Sequence, residues 1–179
     1  MLRLYCFVVL CVSAAWIEST WARKVHTHIS GVTGARINFD ELSSLYKPGY
    51  VYGVEAGIEP RVLGFAWSLL ASTFDSAEPS TPDIELNMVE MEFAVRARWA
   101  LGASEGGAYG TVQSGFNVMR TSVPIPPRDT QFYSGLTVGS GFGFEVRRAF
   151  LVHLGVRYGF FGDAPRSVSG LLSIGFGNL

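Results

Sequence analysis

Cysteine, lysine and long apolar runs are what this 179-residue chain has least of. Its two cysteines, Cys6 and Cys11, both fall in the N-terminal apolar segment, so the rest of the chain has no disulfide framework and no thiol chemistry. Leu10, before Cys11, is bulkier than a lipid-attachment signal accepts. Lys24 and Lys47 are the only lysines. Beyond the N-terminus nothing approaches the roughly 18–20 uninterrupted apolar residues of a membrane helix. The longest candidate, residues 62–74, is broken by Gly64, Ser68, Ser72 and Thr73. A net charge of −1 leaves no electrostatic footprint for nucleic acid. Yet 48% of the residues are hydrophobic, 16% are charged, and the mean hydropathy is +0.25. If such a chain sits in a bilayer, it does not sit there as helices.

The N-terminus reads as a secretory signal. Arg3 supplies a short basic start, residues 4–16 an apolar core, and Thr20 and Ala22 small residues at −3 and −1 of a cleavage point. A cut after Ala15, with Ser13 at −3, is the other option. Residues 1–22 are therefore expected to be the signal and residues 23–179 a single domain.

That domain alternates. Val89, Met91, Phe93, Val95, Ala97 and Trp99 share one parity; Glu90, Glu92, Ala94, Arg96 and Arg98 share the other. Strand side chains alternate between faces, so this is a strand with one apolar and one ionic face. Period-2 patterning predicts eight such runs, over residues 25–37, 50–62, 63–74, 86–101, 108–120, 132–146, 150–160 and 168–176. Gly31 and Gly34 make the first the weakest. Connections alternate long and short, and the long ones hold Pro79, Pro82, Pro124, Pro126 and Pro127. Proline cannot donate to a ladder, which supports these boundaries. The rhythm is that of an up-and-down transmembrane barrel with short periplasmic turns, longer outer loops and both ends periplasmic.

A soluble barrel also alternates, with its apolar face inward. Three features favour the inverse. Gly135, Thr137, Gly139, Gly141 and Gly143 crowd the mixed face of the sixth run, as Gly53, Gly57, Gly155 and Gly159 do in others. Small residues make room inside a narrow barrel. The mixed-face charges balance: Glu55, Glu59, Glu90, Glu92 and Glu145 against Arg36, Arg61, Arg96, Arg98, Arg147 and Arg157. Arginine, whose planar fork grips carboxylates, suits enclosed pairing better than lysine. Finally, clean-face aromatics cluster toward both rims: Tyr50, Tyr52, Phe132, Tyr158 and Phe160 at one, Phe65, Trp67, Trp99, Phe144, Phe150 and Phe176 at the other. Phe93 and Phe116, nearer the middle, break that pattern.

In its eight runs, the glycine-spaced 135–143 segment and the closing 168–176 segment, the chain resembles the small eight-stranded outer-membrane barrels, the family of outer membrane protein X and the membrane domain of outer membrane protein A. The resemblance implies an all-β, eight-stranded antiparallel barrel in the outer membrane of a Gram-negative-type bacterium. It implies outer-membrane lipid and the barrel-insertion machinery as partners. Members typically end on an aromatic residue that the machinery reads; Phe176 fits, but Gly177, Asn178 and Leu179 follow it. No peptidoglycan-binding domain follows, so no cell-wall tether is expected.

The eleven mixed-face charges are read as an ion-pair core that fills the lumen, since eight strands enclose just enough room for their own side chains. His153 reads as a lumen hydrogen-bonder. The lipid A deacylases use His-x-Ser, and here Gly155 stands where that serine would be. His26 and His28 share a face, but two ligands are too few for a structural zinc site. Gly139-Ser140-Gly141-Phe142-Gly143 lacks the G-x-G-x-x-G spacing of a dinucleotide loop. No cofactor is implied. The long loops carry Asp40, Glu41, Tyr46, Lys47, Asp75, Glu78, Asp83, Arg128 and Asp129, mostly acidic, and are the expected interaction surface. The expected role is non-enzymatic: membrane integrity or surface contact. A soluble lipid-binding barrel is the alternative, then a narrow or gated pore, then a lipid-acting enzyme.

Overall fold

Every alternating run is a strand. The computed structural model describes residues 25–39, 43, 45–59, 62–77, 85–101, 107–122, 130–146, 149–161 and 166–177. The expected signal segment lies outside the described residues. So do Arg61, Arg147 and the connection residues Asp40, Glu41, Glu78, Asp83, Arg128 and Asp129. The strands are β1 (His26–Asn38), β2 (Gly49–Glu59), β3 (Leu63–Phe74), β4 (Leu86–Ala100), β5 (Gly107–Ser122), β6 (Thr130–Val146), β7 (Phe150–Phe160) and β8 (Ser167–Gly177). Each pairs antiparallel with its sequence neighbours, and β8 pairs back onto β1, closing the barrel. β2 is described over Gly49–Glu59; residues 60 and 61 of the predicted run lie outside the described residues. β1, the weakest run in sequence, is paired along its length on both sides despite Gly31 and Gly34. Gly107 opens β5 at φ 139°, a backbone conformation that side chains rarely tolerate.

The register fixes the tilt. From Thr27, one row of cross-strand partners runs through Ile58, Phe65, Val95, Ser114, Val138, Tyr158 and Val168. It returns to β1 at Ile37, ten residues further along the strand. Such a stagger tilts the strands by about 35–45° to the barrel axis, so each row climbs as it circles. This explains the two aromatics that fall between the girdles. Trp67, Phe93, Phe116, Leu136 and Phe160 are successive partners in one outward row that rises from one rim toward the other.

The apolar parity points outward. Tyr50, Phe65 and Phe132 are 75%, 68% and 70% exposed, and Ile58, Phe93, Leu154, Val156 and Phe176 lie on the same outer surface. The arrangement is thus the inverse of a soluble carrier barrel. Trp99 lies against Gly110, its direct partner, where a methyl group would meet the indole at 2.6 Å.

At the end with the long connections, the chain is tied together. Lys47 N donates to Asp75 O (2.9 Å), Ala77 N to Leu45 O (2.8 Å), and Phe39 N to Arg166 O (2.8 Å). Tyr46, expected on the interaction surface, instead packs against an apolar cluster of Phe74, Leu86, Met88, Met119 and Phe161 that caps the lumen at this end.

Replacing Phe93 by Arg puts a charge on the outer face between the girdles. The substitution should cost about 2–4 kcal/mol of folding free energy in lipid vesicles. Denaturant titration of bilayer-folded protein measures it, and an unchanged midpoint would contradict the outward assignment.

Candidate functional site: the ionic lumen

The lumen is built from rows. Arg96, Gln113, Gly139, Arg157, Ser169 and Arg36 are successive cross-strand partners along one inner row. Ser30, Glu55, Ser68, Glu92, Asn117 and Gly135 form another. Between them runs a row of small residues: Gly57, Ala66, Ala94, Gly115, Thr137 and Gly159. Within the arginine row, Gly139 leaves room for its neighbours: a methyl group there would meet the Arg157 and Gln113 side chains at 3.2 Å each.

Nine of the eleven charged residues singled out in the sequence fall within the described residues, and they meet one another. At mid-barrel, Glu55 accepts from Arg96 Nη1 at 2.8 Å and from Arg157 Nη2. Glu92 accepts from Arg157 Nη1 (2.7 Å), Gln113 Nε2 (2.9 Å) and Thr137 Oγ1 (2.7 Å). Arg96 also donates through Nε and Nη2 to Gln113 Oε1, at 3.0 and 2.7 Å. Toward the long connections, Arg36 pairs with Glu90, which also accepts from Asn117 Nδ2 at 2.7 Å. Toward the short turns, Arg98 reaches both Glu59 (3.4 Å) and Glu145 and lies 3.8 Å over the Tyr109 ring. Glu92, at 1% exposure, has no water to turn to, and its partners supply the compensation that a buried carboxylate needs.

The neutral partners Gln113, Asn117, Thr137, Ser68 and Ser169 escape a search for charge alone. Their lumen parity was the available signal. The apolar cap was missed because Met88 and Leu86 share parity with Glu90 and read as part of a mixed face. His153 Nε2 lies 2.9 Å from Thr111 Oγ1, and its ring stacks on Tyr109 at 6.0 Å between centroids. His26 and His28 are joined by Glu59: donor atoms of the three lie within 4.8 Å of one another. Only the register could reveal this, since Glu59 is the direct partner of His26 across the first hairpin.

No protein-family model matches the chain, and no curated protein matches it by sequence. Solved structures do. Neisserial surface protein A is similar at TM-score 0.63 and 15% identity over 85% of this chain and 96% of that one. Ail, the attachment invasion locus protein of Yersinia pestis, in complex with the heparin analogue sucrose octasulfate, gives TM-score 0.66 and 11% identity over 87% and 100%. The N-terminal β-barrel domain of Pseudomonas aeruginosa OprF gives 0.55 and 11% over 88% and 100%. At these identities the likeness is one of fold. The chain has the closed eight-stranded fold of the small outer-membrane barrels.

Two measurements test the lumen. Glu92→Ala strands Arg157 without one of its two carboxylates and should destabilise the barrel by about 3–5 kcal/mol, read as a lowered urea midpoint in detergent. In planar bilayers, Arg96→Ala and Phe161→Ala should each stay at the wild-type baseline. The ionic layer and the apolar cap seal the lumen in series, so only the combined variant should leak ions. Conductance from either single variant would show that the remaining seal cannot close the lumen by itself.

Proposed function

We propose that the chain is a non-enzymatic protein of a Gram-negative-type outer membrane that serves membrane integrity or surface contact through its long connections. One observation carries the reading: the barrel is apolar outside and ionic within. In water the outer surface would be a continuous apolar patch far beyond what soluble monomers expose. In lipid it is matched, and a closed barrel leaves no backbone edge unsatisfied. The lumen ion pairs act as the structural core of the barrel. They occupy the space an apolar ligand would need, which counts against the soluble-carrier reading.

The partners in this reading are outer-membrane lipid and the insertion machinery, with Phe176 as the terminal aromatic. Residues 1–22 act as the export signal and 23–179 as the mature barrel. The long connections face the outside. One of the similar structures holds a sulfated heparin analogue, but here the connections carry Asp40, Glu41, Asp75, Glu78, Asp83 and Asp129 against Lys47 and Arg128. That balance favours a basic or neutral contact over a polysulfated one.

Expression in a Gram-negative host tests the reading. The protein should sediment with outer membranes, resist alkaline washing, dissolve only in detergent and show a heat-modifiable gel shift. Its first residue should be Arg23. Recovery as a soluble periplasmic protein would overturn it.

A further inference from the structure

Two neighbouring imidazoles at the short-turn end of the lumen have nitrogens with no hydrogen-bond partner among the described residues. His28 is 6% exposed; its Nε2 faces Arg96 (3.4 Å) and Glu55 (3.6 Å), while its Nδ1 is buried without a hydrogen-bond partner. His26 lies with Nδ1 3.9 Å from Glu145 and with Nε2 buried and unpartnered. The rings stack at 5.8 Å. Glu59, buried and directly opposite His26, completes a set whose donor atoms lie within 4.8 Å. Leaving buried polar atoms unpaired is costly, and such atoms call for a missing partner.

Among the described residues, the carboxylates at this end outnumber the arginines. At mid-barrel, Glu55 and Glu92 are matched by Arg96 and Arg157, and Glu90 is matched by Arg36. At the short-turn end, Glu59 and Glu145 share Arg98 alone among the described residues, and Glu145 Oε1 has no hydrogen-bond partner. Arg98 stands 3.4 Å from Glu59 and also pairs with Glu145, so Glu59 can turn away without leaving the guanidinium unpaired.

We propose that His26, His28 and Glu59 form a binding site for a divalent transition-metal ion of the zinc class. Imidazole and carboxylate are the ligands such ions take, and three protein ligands leave a fourth position open to water. Tetrahedral ligands at about 2.0–2.1 Å stand about 3.3 Å apart, so the donors need to close by at most about 1.5 Å. Gly57 holds the space that His28 occupies: a methyl group there would meet the ring at 2.3 Å. A small cavity bordered by His28, Glu59, Arg98 and Tyr109 adjoins the site. The ligands bridge β1 and β2 next to the β1–β8 closure, where His28 also pairs with Gly177. A bound ion therefore fastens the first hairpin at the seam of the barrel.

The test uses the full mature barrel, folded in detergent, stripped with chelator and titrated with zinc chloride by calorimetry. The expected result is one ion per chain and a raised urea midpoint, since a ligand of the folded state stabilises it. His26→Ala and Glu59→Gln should abolish both effects, while His153→Ala, a lumen histidine outside the set, should retain them. His26 is the least buried of the three, so its variant keeps the test valid if His28→Ala fails to fold. Absence of saturable zinc binding by the wild type, or binding that survives His26→Ala together with Glu59→Gln, would overturn the site.

Discussion

Closure of the sheet is the constraint on which everything else rests. A strand whose outer face meets hydrocarbon cannot leave its N–H and C=O groups to water, so each ladder needs a neighbour on both sides. The pairing of β1 with β8 supplies the last one. Once the ring is closed at eight strands, the interior is too narrow for anything but side chains. The outer face must then be largely apolar, and the inward-facing carboxylates and guanidiniums are held in a space they share as pairs.

Sharing is arranged by the stagger. Because each row climbs as it circles, the arginine row and the glutamate row wind round the lumen with small residues between them. Arg157 can therefore reach Glu55 on β2 and Glu92 on β4 at once. No local sequence relation connects those three. The two ends are finished differently: an aliphatic and aromatic cluster lies at one, while His26, His28, Glu59 and Glu145 gather at the other.

Much of the fold was legible because a strand's side-chain period is two, so parity reports the face of every residue. β3 and β7 match their sequence boundaries, and β4 and β6 lie within two residues. Proline placed the connections. Parity also gathered Glu55, Glu90, Glu92, Arg96 and Arg157 on one face. It could not say that Met88, on the same parity as Glu90, belongs to an apolar cap, because height along the barrel is invisible to a period of two. Nor could it explain Phe93 and Phe116, whose position follows from the tilt of a row. Tyr46 sits in a polar connection, and only its contact with the cap shows that it turns inward.

The sequence by itself determined the strands, their two faces and which face carries the charge, since these depend only on neighbours two residues apart. The tertiary structure decided the register, and with it every partnership across the lumen: Arg36 with Glu90, Arg157 with two glutamates, Glu59 beside His26 and His28. Those pairings join residues far apart in the chain. They are set by the ten-residue stagger of a closed ring, a property that no single strand possesses.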